Sequence, residues 1–361
     1  MPGERKKRCE KDAKKRVFFS VVCGGMKVLR KIGQYLAEFA LTVAIFVVLV
    51  MFMRDVNEHR FPAMASGGVS PADKSAYATG EGVRAIEGDY LNGFHFTPEV
   101  KRHEGVVVVF GGSEGSPNFD MAQMLYDDGH EVLSLFFFGQ PNQAPALSRV
   151  PLEQFDEVRA YIDEHVPGGP VTVLGASKGA ELALLLAAHG FEVDNVVAYA
   201  PAHYSYSGLD FSSWEDAPSF TLRGEDVPYA SIRDASWLTG MRVGWQTITK
   251  YPVSYRATYE QAVEAADDAA RIDLSGFGGN VLLFAGQDDR MWQSEVAADT
   301  LASISNRFEA HVFPDAGHAF IPDGEERGAG WERQLGGTAE GNRAALRESD
   351  ELLLQRLREW H

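Results

Sequence analysis

Cysteine is scarce in this 361-residue chain: the two present, Cys9 and Cys23, both precede residue 32. The body beyond has no disulfide, thiolate nucleophile or zinc–thiolate site, so its stability must come from its core. Basic residues are also scarce in the body. Residues 1–31 hold eleven Lys/Arg against three Asp/Glu, a net of +8, whereas the remainder holds 23 against 48, a net of −25. An acidic body gives no electrostatic footprint for nucleic acid. The sequence also lacks a G-K-[ST] phosphate loop, an H-E-x-x-H pair and any internal repeat. No cofactor and no metal site is therefore expected.

Charge is missing from Phe39–Met53 altogether. The wider run Ile32–Met53 is 22 residues long with Glu38 as its one charge. At 1.5 Å per residue such a helix reaches roughly 33 Å, enough to cross a bilayer core of about 30 Å. Lys27, Arg30, Lys31 and earlier basic clusters crowd its N-terminal side. The positive-inside rule then puts the N-terminus in the cytoplasm and the body outside. The expected organisation is a basic cytoplasmic tail at 1–31 (disordered over Met1–Arg16), a transmembrane helix at 32–53 and a linker at 54–80. The body follows at 81–361. A cleaved signal peptide is the competing reading, with Ala63-Met64-Ala65 as its cleavage pattern.

The body alternates strand and helix. Val106–Phe110 (VVVVF) is a continuous apolar run, as in a strand buried on both faces. Further strands are expected at Glu131–Phe138, Val171–Leu174, Val196–Ala200, Val281–Ala285 and Ala310–Phe313. Helices are expected at Phe119–Asp127, Leu152–Glu164, Lys178–His189, Ser294–Ser305 and 339–359. This pattern predicts an α/β fold with a mostly parallel sheet covered by helices on both faces. Residues 202–271 break the alternation and hold Tyr204, Tyr206, Phe211, Trp214, Phe220, Tyr229, Trp237 and Trp245. They are expected to form a helical cap that shapes an apolar pocket.

Gly175-Ala176-Ser177-Lys178-Gly179 is a G-x-S-x-G element between an apolar strand and a helix. That context is the nucleophile elbow of the α/β-hydrolase fold, in which the chain order is Ser, acid, His. A serine hydroxyl needs an imidazole to take its proton, and a carboxylate to hold that imidazole. After the strand Val281–Ala285, Gly286-Gln287-Asp288-Asp289 places the acid at Asp289, with Asp288 as runner-up. Asp315-Ala316-Gly317-His318 follows the last strand and supplies His318. His203, after another strand, is a weaker candidate for lining the cleft, and His189 is read as a helix cap. For the oxyanion hole, the expected N–H donors are Lys178 and, from the loop Phe110–Gly115, Gly112 or Ser113.

With these residues in place, the body resembles the acyl-CoA thioester hydrolase / bile acid-CoA:amino acid N-acyltransferase C-terminal domain family. The matching pieces are Phe110–Gly115 (FGGSEG), Val150–Phe155 (VPLEQF), Gly175–Glu181 (GASKGAE), Arg223–Tyr229 (RGEDVPY), Gly286–Trp292 (GQDDRMW) and Ala316–Phe320 (AGHAF). Gly336-Gly337-Thr338 comes before the last helix. They cover roughly residues 88–358 in order. The resemblance implies a triad at Ser177, Asp289 and His318 and acyl transfer from a thioester. Serine at the nucleophile position implies water as acceptor, since the family's conjugating members use cysteine. The expected function is a serine hydrolase of small-molecule acyl thioesters or carboxylic esters. An acyltransferase with another acceptor, and a non-catalytic envelope protein, are the alternatives. Residues 54–87 are too few for the β-sandwich that precedes the hydrolase in full-length members.

Overall fold

The computed structural model describes residues 3–61, 70–210, 212–213, 215–320 and 330–361, excluding the side chains of 3–9, 12–14, 17–25 and 27–28. The Ala63–Ala65 pattern, Phe211 and Trp214 therefore lie outside the described residues. The chain divides into two compact units, one of residues 1–59 with 248–250 and one of the rest.

In the first unit, helix α1 (Gly3–Arg60) contains the apolar run. Its segment Leu29–Arg60 is long and apolar enough to cross a membrane, and none of its most apolar window is buried. The helix continues past both ends of the expected 32–53 span. Residues 3–16, expected to be disordered, are helical, because Lys, Arg, Glu and Ala are all good helix formers. At the other end, Asn57 Nδ2 donates to the Thr249 carbonyl at 2.8 Å, and Glu58 pairs with Lys250.

In the second unit the strands are β1 (Val83–Glu87), β2 (Asn92–Phe96), β3 (Val106–Phe110), β4 (Val132–Leu135), β5 (Val150–Pro151), β6 (Val171–Ala176), β7 (Asn195–Tyr199), β8 (Phe220–Leu222), β9 (Glu225–Asp226), β10 (Asn280–Gly286) and β11 (Phe308–Phe313). The helices are α2 (Phe119–Asp127), α3 (Gln154–His165), α4 (Lys178–Ala188), α5 (Trp237–Ile248), α6 (Arg256–Ala265), α7 (Ser294–Ala302), α8 (Trp331–Gln334) and α9 (Ala339–Trp360).

Among the described residues, eight strands form one sheet in the order β1-β2-β4-β3-β6-β7-β10-β11. Strand β2 is antiparallel to both neighbours, and every pairing from β4 to β11 is parallel. Strand β3 explains the layering: alternate side chains leave opposite faces, and all five are buried. Val106, Val108 and Phe110 join a core with α3, α4 and α7, whereas Val107 and Val109 join one with α2 and α9. Helices thus cover both faces of a mostly parallel sheet, which is the α/β-hydrolase fold.

The expected cap region contains β8, β9, α5 and α6, and β8 also pairs with β5 from outside it to form a small three-stranded sheet. Tyr204, Tyr206 and Phe220 are buried and Tyr229 is half-buried, but Trp237 and Trp245 are exposed. Those two tryptophans do not pack inward as a cap around an acyl pocket would require; they lie on the outer face of α5.

Candidate active site

The elbow forms because four small residues let a strand turn abruptly into a helix. Ser177 joins β6 to α4 with φ 55° and ψ −115°, a conformation that L residues rarely adopt. Such a residue stores about 1–3 kcal/mol of strain, which the surrounding packing must hold. A side chain at Gly175 would meet the Gly179 carbonyl at 2.0 Å, and one at Gly179 would meet the Gly111 carbonyl at 2.0 Å. Both glycines are therefore demanded by close backbone approach. The Ser177 N–H is fixed to the Tyr199 carbonyl at 2.8 Å.

The structure brings Ser177, His318 and Asp289 into one hydrogen-bonded chain. Ser177 Oγ lies 2.9 Å from His318 Nε2, and His318 Nδ1 lies 2.8 Å from Asp289 Oδ2. Asp289 follows β10, His318 follows β11, and both are buried. Asp289 is the most heavily solvated by protein: its Oδ1 accepts the N–H groups of Met291 and Trp292, and its Oδ2 accepts the Ser294 hydroxyl at 2.6 Å. Donors of this kind stabilise a charged carboxylate away from water. The Trp292 ring stands edge-on to His318 at 4.8 Å and donates its own N–H to the Pro201 carbonyl. Trp292 and Ser294 were not singled out from the sequence for any role, although both lie within five residues of Asp289.

Asp288 does not touch the histidine. It pairs with Arg290 at 3.1 Å and accepts the Gly337 N–H. His203 is buried with Nδ1 unpartnered, and burial pushes its pKa down to about 4. His189 is the C-cap of α4. A cavity of about 580 Å³ opens on the Asp289 side of the site, lined by Arg242, Arg256, Arg290 and Arg333 among others, and neither Ser177 nor His318 lines it.

Two elements meet around the serine hydroxyl. The Lys178 N–H begins α4, where the first N–H groups have no intrahelical acceptor and the helix dipole is positive. Across from it, Gly112 approaches so closely that a side chain there would meet Ser177 Cβ at 3.3 Å. The Gly112 N–H is engaged by the loop's own Glu114, whose Oε1 accepts it at 2.9 Å. Ser113 is exposed on the same loop. The Lys178 side chain points away from solvent altogether. Its ammonium donates to Glu181 Oε2 (2.8 Å), Ser219 Oγ (2.8 Å) and the Ser207 carbonyl (3.1 Å). Burial pushes its pKa down while the Glu181 carboxylate opposes the shift.

A second cluster, scattered in sequence, comes together elsewhere. His103, Asp128 and His130 have possible ligand atoms within 4.8 Å of one another. The His103 and His130 rings stack at 3.9 Å, and Arg358 already binds both oxygens of Asp128.

The family described as "BAAT / Acyl-CoA thioester hydrolase C terminal" matches residues 150–322. Human mitochondrial acyl-coenzyme A thioesterase 2 is 24% identical over 235 residues, covering 62% of this chain and 44% of that protein. Mouse acyl-coenzyme A thioesterase 6 is 26% identical over 254 residues, covering 67% and 55%. The chain spans about half the length of the curated relatives it matches. A solved Pyrococcus furiosus esterase is similar with a TM-score of 0.47 and 13% identity, covering 82% of this chain and 96% of that one. The likeness first read from short, separated motifs thus extends over a continuous stretch, on which the chain is similar to the C-terminal domains of the BAAT/acyl-CoA thioester hydrolases.

Proposed function

We propose that this protein is a membrane-anchored serine hydrolase that cleaves acyl thioesters or carboxylic esters through an acyl-enzyme on Ser177. The observation that carries the reading is the hydrogen-bonded chain from Ser177 Oγ through His318 to Asp289, set at a strained turn into α4. His318 Nε2 takes the hydroxyl proton as Oγ attacks the acyl carbon, and Asp289 steadies the imidazolium that results. His318 then gives the proton to the leaving thiol or alcohol. Water, activated by the same imidazole, hydrolyses the acyl-enzyme and regenerates the serine hydroxyl.

The negative charge that develops on the acyl oxygen falls to the N–H groups of Lys178 and the Gly112–Ser113 loop. Because Glu114 holds the Gly112 N–H, that donor must exchange a carboxylate for the oxyanion as the intermediate forms. Helix α1 anchors the chain through its apolar segment, and the basic residues ahead of it put the body on the extracytoplasmic side.

The reading is tested by presenting p-nitrophenyl esters and acyl-CoAs in parallel to the full chain in detergent, with Ser177→Ala as control. Turnover of either class that vanishes in the variant supports it, and the preferred class fixes the leaving group. Turnover that survives Ser177→Ala contradicts it.

A further inference from the structure

Helix α5 is amphipathic the wrong way round for a helix of a water-soluble body. Trp237, Leu238, Met241, Trp245 and Ile248 recur at spacings of one, three, four and three residues, which gathers them on one face. Such a stripe normally faces the core. Here Trp237 is 70% exposed, Leu238 61% and Met241 60%, and no residue of the helix is buried. The opposite face, with Thr239, Val243 and Gln246, is the half-buried one. Its inward anchorage is polar: Thr239 Oγ1 and the Ser236 N–H both donate to Gln261 Oε1 on α6, at 3.1 and 2.8 Å. The helix has no acidic residue, and its one formal charge, Arg242, flanks the stripe.

The occupant of this face follows from where α5 ends. Its last residue, Ile248, belongs with Thr249 and Lys250 to the unit built on α1. Asn57 and Glu58 hold Thr249 and Lys250 there. Asn57 lies four residues past the end of the apolar run at Met53, about 6 Å along the helix axis. If α1 spans a bilayer, that is headgroup depth. A helix continuous with this point that presents two tryptophans, leucine, methionine and isoleucine outward has the composition of an interfacial helix. We propose that α5 lies in the surface of the same bilayer that α1 crosses, its apolar face sunk among the lipid acyl chains. The proposal rests on α1 being a membrane span.

The experiment uses the full chain, with Cys9 and Cys23 changed to serine, reconstituted in phosphatidylcholine vesicles. An environment-sensitive fluorophore is attached at Met241→Cys on the stripe or, as control, at Thr247→Cys, an exposed site off it. Docking predicts that nitroxide placed shallowly on the lipid chains quenches position 241 several-fold more than 247, and that aqueous iodide does the reverse. Equal iodide access at both positions would overturn it. So would protection of 241 from both quenchers that disappears when vesicles carry one copy each, which would mean that a second copy covers the face. Alkaline carbonate separates the two readings. Release of the protein from the vesicles would overturn the α1 span and the docking with it, whereas retention with 241 in water would overturn the docking alone. Since all five stripe residues are exposed, changing Trp237, Leu238, Met241 and Ile248 together to serine is expected to leave the unfolding temperature unchanged while weakening lipid quenching at a probe on Trp245→Cys.

Discussion

Helices α4 and α5 are nearly equal in length, 11 and 12 residues, and both are rich in apolar side chains, yet their surroundings are opposite. Every residue of α4 from Lys178 to Ala187 is buried, including a lysine and a glutamate, whereas no residue of α5 is buried. The difference teaches that apolar content does not decide burial. In α4, Gly179 and the small alanines let the helix sit against β6 and the Gly111 backbone, and the one buried cation has a carboxylate, a hydroxyl and a carbonyl waiting for it. In α5 the inward side carries Thr239, Val243 and Gln246, and Trp237, Leu238 and Met241 are exposed.

The largest effect should come at the start of α4. Ser177→Ala removes the only nucleophile of the proposed mechanism, and kcat/KM should fall by at least about 10³-fold. An unchanged unfolding temperature in the same variant would show that the loss is chemical. Next, Lys178→Met leaves the Glu181 charge buried without its cation, and unfolding should become easier by about 3–5 kcal/mol. Lys178→Met with Glu181→Leu should recover much of that, because the pair is then replaced as a whole. If Lys178→Met alone were neutral in thermal unfolding, the account of α4 as a buried, internally paired helix would break.

Glu114 offers a subtler probe of the same end of α4. Glu114→Ala frees the Gly112 N–H and removes a negative charge facing the developing oxyanion, so steady-state kcat should rise severalfold. A fall would mean that Glu114 instead holds the loop in its working shape.

The smallest effect concerns α9. Burial raises the Asp350 pKa to about 6 from an ordinary 3.8. The folded protein therefore binds this proton more tightly than the unfolded chain, and stability drains away as pH rises from about 4 through 6. Asp350→Asn should raise the unfolding temperature by a few degrees at pH 7 and have no effect at pH 3.5. Equal shifts at both pH values would exclude titration as the cause.

Much of this was legible in the sequence, for physical reasons. Strand β3 and helix α2 have the ends expected of them, and β6, α4 and β10 lie within two residues, since continuous apolar runs flanked by small residues leave few alternatives. Ser177, Asp289 and His318 were named from chain order and loop position, and these three residues share hydrogen bonds in the structure. Strands β1 and β2 were not legible. Strand β2 carries the polar Asn92 and His95, and distant partners accommodate them in the interior: Lys74 donates to Asn92 at 2.7 Å, and His95 sits 2.8 Å from Glu131. Helix α5 was hidden by Gly240 and Gly244, which lower helix propensity, and its outward stripe depends on which face α6 holds. The His103–Asp128–His130 cluster is joined only by the fold.

The central claim is that Ser177 is the nucleophile. The most direct measurement treats the full chain in detergent with a fluorophosphonate and maps the adduct by peptide mass, with Ser177→Ala and His318→Ala alongside. The account predicts one adduct, on Ser177, absent from the first variant and formed far more slowly in the second. An adduct on another residue, or none on the wild-type protein, would contradict it.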